Sequence, residues 1–136
     1  MKNFLSVLFA GIWITASEFI RNEFLFKSDW TEHFKSLGLE FQTLPVNGIL
    51  WMAWSFGLAY VIFELLKYFS FKQTFFIAWL SAFVMMWISL YNLQVLPIRL
   101  LAVAIPLSIA EIMIAEFIIK RTRGIKNHTT LSSNTK

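Results

Sequence analysis

Cysteine is absent from this 136-residue sequence, which excludes disulfides, thiolate metal centres, iron–sulfur clusters and cysteine nucleophiles. Histidine is nearly absent: His33 and His128 lie far apart, in a spacing that suits no zinc site. The five glycines (Gly11, Gly38, Gly48, Gly57 and Gly124) form no phosphate-cradling loop. No metal and no cofactor are therefore expected. Charge is scarce as well, at 15% of residues against roughly 25% in an ordinary soluble domain.

Apolar residues take up the space instead: 57% are hydrophobic, 18% are aromatic, and the mean hydropathy is +0.62. Small soluble domains bury the smallest fraction of their chain and could not cover so much apolar surface. The composition thus excludes a soluble globular protein, a disordered chain and a nucleic-acid module. An integral membrane protein remains. The net charge of +4 collects toward one end of the chain, which reads as membrane topology and not as a nucleic-acid surface.

A bilayer core about 30 Å thick is crossed by about 20 apolar residues in a helix. Four stretches qualify, at about 4–20 (the shortest), 46–66, 73–95 and 98–119. Backbone groups in lipid must be satisfied within the segment, so all four are expected to be helices. The fold class is then all-α, a four-helix membrane bundle in a single domain over residues 1–126. With four spans, both termini and the second connection share a side carrying Lys2, Lys67, Lys72, Lys120, Arg121, Arg123, Lys126 and Lys136. The other side carries Arg21, Lys27, Lys35 and Arg99, diluted by Glu23, Asp29, Glu32 and Glu40. The positive-inside rule puts both termini in the cytoplasm of an inner-membrane-type, multi-pass protein. An alternative makes residues 1–17 a cleaved signal peptide, which would leave three spans.

The first connection, 21–45, has its own pattern. Asp29 and Glu32 resemble a capping box, and Trp30, Phe34 and Leu37 follow at i, i+4 and i+7, with Gly38 where a helix-terminating glycine belongs. These predict a short amphipathic helix lying on the outer membrane face, apolar side down. Residues 127–136 are polar and read as a disordered cytoplasmic tail. Two hairpins also echo one another: Phe9-x-x-x-Trp13-Ile14-Thr15 matches Phe83-x-x-x-Trp87-Ile88-Ser89, and Leu44-Pro45 matches Leu96-Pro97. Short apolar motifs repeat by chance, so duplication remains one of two readings.

Polar residues gather at two depths. Glu18, Arg21 and Asn22 close the first span on the outer side, Asn47 opens the second, Asn92 closes the third and Arg99 opens the fourth. This outer cluster reads as an interfacial set, as structural pairing of Glu18 with Arg21 or Arg99, or as a polar pocket roofed by the amphipathic helix. The pocket reading requires Glu18, Asn92 and Arg99 to converge. Deeper, Glu111 lies about 20 Å from the outer end of the fourth span. An ionised carboxylate there costs at least about 2.5–3.5 kcal/mol. Ala104, Ser108, Glu111 and Ala115 make a small-and-polar stripe suited to helix contact, with Tyr60 and Ser81 expected at similar depth as partners. Glu64 and Glu116 are expected to reach the cytoplasmic interface beside Lys67 and Lys120. The small pairs Ala53/Gly57, Ala78/Ala82 and Ala104/Ser108 would allow close helix approach, and Trp13, Trp79 and Trp87 would fill space.

In size, span count and possession of a membrane glutamate the chain resembles small multidrug-resistance transporters. It departs from them in its long first connection, in a Glu18 close to a helix end, and in a deep glutamate on the fourth span, so no family roles are carried over. Lacking a second positioned acid, base or metal, it is not read as an enzyme. Two roles remain. One is binding or transporting a small solute or a cation or proton, through the outer cluster and Glu111. The other is a structural or accessory subunit in which Glu111 is hydrogen-bond glue. Membrane lipid, a homodimer or a larger membrane complex are the expected partners, and nucleic acid is not.

Overall fold

The computed structural model describes residues 2–123, so the polar stretch 127–136 lies outside the described residues. Four helices are long and apolar enough to cross a membrane: α1 (Lys2–Leu25), α3 (Pro45–Leu65), α4 (Phe71–Asn92) and α5 (Ile98–Arg123). A short helix, α2 (Lys27–Ser36), stands between the first two. The chain is an all-α, multi-pass membrane four-helix bundle, with no strand among the described residues.

Local chemistry sets the boundaries. Pro45 begins α3, where its missing N–H and fixed φ cost nothing. Ser70 starts α4 with a capping box: its side chain accepts from the Gln73 backbone N–H, and the Gln73 side chain accepts from the Ser70 N–H. That box moves the start of the third span two residues ahead of its expected position. Helix α2 ends as the sequence predicts, with Gly38 at φ +72°. The Leu39 N–H reaches the Phe34 carbonyl and the Gly38 N–H the Lys35 carbonyl, a Schellman ending. Its start differs from expectation. Phe26 is the N-cap residue and makes no side-chain cap, so Asp29 sits inside the first turn instead of opening it.

Helix α1 packs along both α3 and α5, and α4 leans on α5 and α3. Lipid tails are as apolar as the helices, so association rests on close packing and interhelical hydrogen bonds. The packed interior includes Ile14, Ile62, Phe83, Ile112 and Ile119, all fully buried. Of the small pairs, Ala78 and Ala104 with Ser108 face inward, whereas Ala53 and Gly57 lie on an exposed face. The close approach comes at Gly11 instead, whose Cα faces the ring of Phe56 on α3.

Three helices depart from α geometry, α5 only in the 3-10 turn Ile98–Leu100 that opens it. The last six residues of α1, Ile20–Leu25, form π turns, and so do Leu80–Val84 in the middle of α4. In the matched registers of the two hairpins these turns fall at different places, so they are not a shared feature of a repeat.

Candidate functional site

The π turns decide which side chains meet. Residues five apart on an α-helix point about 140° away from each other, but on an i→i+5 turn they share a face. In α1 the Phe26 N–H bonds the Arg21 carbonyl at 3.0 Å, and both side chains are buried. In α4 the same geometry buries Ala78 and Phe83 together. The two irregular segments then face each other: the Arg21 guanidinium lies over the Phe83 ring, 5.1 Å from its centroid.

Around Arg21 two carboxylates converge. Glu18, one turn back on α1, pairs with its Nη2. Glu111 on α5 approaches Nη1 through Oε2 at 3.3 Å. The Ser17 hydroxyl donates to the same Glu111 oxygen at 2.7 Å, and the Asn22 side-chain amide donates to Glu18 Oε2 at 2.8 Å. Trp13 donates its indole N–H to the Glu111 backbone carbonyl at 3.1 Å. One turn up α5, the Ser108 hydroxyl accepts the indole N–H of Trp79 at 2.9 Å. Helices α1, α4 and α5 are thus tied by one polar layer inside the bundle. Glu111 Oε1 is buried without a hydrogen-bond partner among the described residues.

In lipid such interhelical bonds contribute about 0.6 kcal/mol on average and about 1.7 at most. Ser17→Ala is therefore expected to lower stability by about 0.6–1.7 kcal/mol, read as the thermal midpoint in detergent. In a Glu111→Leu background the same substitution should cost close to nothing, and equal costs in both backgrounds would refute the contact.

Other candidates stand elsewhere. Tyr60 is exposed, and Ser81 is exposed and returns its hydroxyl to the Ile77 carbonyl at 2.6 Å. Neither meets Glu111: residue rise fixes height along a helix but not rotation about it, and both side chains point out of the bundle. Asn92 and Arg99 are exposed and do not join Glu18, so the expected convergence of those three does not form. Asn47 is half-buried and donates to the Gln42 carbonyl at 2.9 Å, bracing the end of the first connection. Glu116 is fully buried instead of reaching the interface, while Glu64 does pair with Lys67 at 2.5 Å. Trp13 and Trp79, expected only to fill space, are hydrogen-bond donors. Ser17 and Phe83 join the site although the sequence points to neither as a site residue: Phe83 stands out only in the echo of the two hairpins, while Ser17 and Arg21, four apart on one helix face, carry a readable signal.

Beside the polar layer lies a cavity of about 480 Å³. It sits at the end of the bundle where α1 and α4 finish and α3 and α5 begin. Glu18, Arg21 and Asn22 form part of its wall, and Thr15, Ser55 and Asn47 add further polar groups. Most of the remaining wall is aromatic or aliphatic. The roof is α2 with the strand of chain that follows it. Trp30 stacks on Phe41 at 6.3 Å, Phe34 meets Phe41 edge-on at 5.3 Å, and His33 Nε2 lies 3.0 Å from the Gln94 carbonyl in the α4–α5 connection. The apolar side of α2 therefore turns onto the bundle, where Trp30 packs against Phe26, Leu100 and Ala104, and not onto the bilayer. Among the described residues no three potential metal ligands gather. No protein-family model, no curated protein and no solved structure matches this chain.

Proposed function

We propose that this chain is a membrane solute-binding protein whose ligand, small and largely apolar, occupies the roofed cavity beside the Glu18–Arg21–Glu111 layer. The observation that carries the reading is the cavity itself. Its volume falls within the roughly 300–1,000 Å³ usual for ligand sites, and its wall joins an apolar majority to a few converging polar groups. A bundle built only for assembly would have filled that space. With the excess of Lys and Arg at the end holding the termini, the cavity end faces outward and both termini lie in the cytoplasm of an inner-membrane-type bilayer. Binding at that end, followed by opening toward the other, would make the protein a transporter.

Ala104 lies at the cavity wall, 6% exposed, so Ala104→Phe should fill the space while leaving the polar layer intact. In nanodiscs, a neutral aromatic probe such as neopentylbenzene is expected to raise the thermal midpoint of the wild type. At a concentration about 100 times Kd the stabilisation is about 2.7 kcal/mol. The Ala104→Phe protein should melt at one temperature with or without the probe. Equal shifts in the two proteins would place the ligand outside the cavity and overturn the reading.

A second reading, an accessory subunit without a ligand, draws on the bonds from Ser17 and Trp13 to Glu111, which fasten α1 to α5 whatever the cavity holds. It predicts no probe shift in either protein, and co-purification with a partner, either a second copy or another membrane chain.

A further inference from the structure

Resting on that reading of the cavity, we propose that its ligand is the hydrocarbon chain of a membrane amphiphile, taken from the surrounding leaflet through a side opening between α1 and α3. The wall is lopsided. Its residues on α4, on α5 and in the connection between them, Trp87, Leu96, Leu100 and Ala104 among them, are buried or half-buried. Every exposed residue of the wall is either Phe19, in the outer part of α1, or a member of the stretch 42–52 that leads into α3. The cavity is thus open on one side, and that side is the one these two helices present to lipid.

The register of the two helices accounts for the opening. Gly11 takes the Phe56 ring against its Cα, which closes α1 on α3 in mid-bundle. The helices are antiparallel, so two turns further out, about 12 Å along the axis, Phe19 comes level with Gly48. Nothing lies within 4 Å of where a Cβ on Gly48 would stand. The contact that seals the pair at Gly11 is missing there, and the gap leads into the cavity, since Phe19 and Gly48 both line it. The route from water is roofed. His33 fastens α2 to the Gln94 carbonyl, Trp30 packs on Phe26, Leu100 and Ala104, and Asn47 holds the Gln42 carbonyl.

What fills the space follows from what it touches. The wall is mostly apolar, and apolar cavities stay dry. A void would forfeit the dispersion contacts of every atom around it. A chain from the leaflet restores those contacts, and it gives up little on leaving other tails, which are as apolar as the wall. The charges at the rim set no sign for the head: Glu18 is matched by Arg21 and Glu23 by Lys27. Asn22, Gln42 and Thr43 also line this end, so the polar end of the ligand meets hydrogen-bonding groups while its chain lies within.

The test uses an uncharged long-chain alcohol carrying a diazirine at mid-chain, mixed into phosphatidylglycerol nanodiscs that hold the full-length protein. After illumination, adducts are mapped by mass spectrometry. In the wild type they are expected at Leu96, Leu100 and Ala104, each no more than 6% exposed and out of reach of lipid except through the opening. Phe117, 63% exposed on α5, is labelled by bulk lipid in every variant and serves as the standard. Gly48→Trp places an indole in the gap, where a Cβ meets nothing, so the fold and the polar layer stay as they are. Its cavity adducts should be lost relative to Phe117, as should those of Ala104→Phe at Leu96 and Leu100. Met52→Trp, one turn along the same edge, asks the same question should Gly48→Trp not fold.

Wild-type adducts confined to outward faces would overturn the chain as ligand, and adducts undiminished in the tryptophan variant would overturn the side opening. The neopentylbenzene melt tells these failures from that of the cavity itself. If that probe still stabilises the wild type and not Ala104→Phe, the solute site stands and only its occupant or its entrance changes. Absence of both adducts and stabilisation would overturn both readings.

Discussion

Arg21→Met is expected to cost about 3–5 kcal/mol, the usual penalty for removing one partner of a buried ion pair. Folded proteins hold only about 5–15 kcal/mol of stability, so loss of the monodisperse form in mild detergent is the outcome to look for. The Arg21 side chain is 7% exposed and stands between Glu18 and Glu111, at 5% and 0%. Without it two buried carboxylates face each other with no cation, and hydrogen bonds from Ser17 and Asn22 do not neutralise charge. The triple variant Glu18→Gln, Arg21→Met, Glu111→Gln removes all three charges at nearly constant volume and should recover most of the loss. An Arg21→Met protein that melts with the wild type would show that the layer is not a charge-paired unit.

Gly11→Leu should be nearly as damaging. A Cβ placed on Gly11 falls 2.5–2.9 Å from three ring atoms of Phe56, closer than real side chains approach. Helices α1 and α3 touch along much of their length, so the ring cannot yield without parting them. Overpacking of this kind costs about 1–3 kcal/mol, and leucine belongs at the upper end. Adding Phe56→Ala to Gly11→Leu should restore stability by about 0.5–3 kcal/mol, the coupling expected of residues in contact. Additive losses in the thermal midpoints of the double variant would sink the contact. Gly57, which the pattern of small residues singled out, has open space where a Cβ would go. A glycine in a membrane helix marks a close approach only if a neighbour faces it, and its letter alone does not say whether one does.

The polar residues show the same limit. Residue rise marks Glu111 and Ser108 as deep groups, but it puts Glu18 and Arg21 at the outer end of the first span, and there the structure differs: Ser17 and Arg21 reach Glu111, so the outer set and the deep glutamate share one level. Arg99, twelve residues from Glu111 along α5, stands about 18 Å from that level, and Asn92, nine residues past Phe83 on α4, about 13 Å. Direction is not arithmetic at all: Tyr60 and Ser81 lie on faces that turn outward. The direction of Arg21 and Phe83 depends on π turns, for which no residue pattern in Ile20–Leu25 or Leu80–Val84 gives a cue. The cavity was not foreseeable in volume or lining, since its walls come from all five helices.

Helical spans, their number and the small helix between the first two follow from local rules. Twenty apolar residues in lipid must satisfy their own backbone, and Gly38 must end α2 where it can take a positive φ. Which faces of those helices meet is a property of pairs. It rests on how far each helix is turned about its axis, on where Gly11 lets α1 close on α3, and on two stretches of widened turn that bring Arg21 over Phe83 and within reach of Glu111. Those are energies between segments far apart in the chain, and they exist only once the bundle has formed.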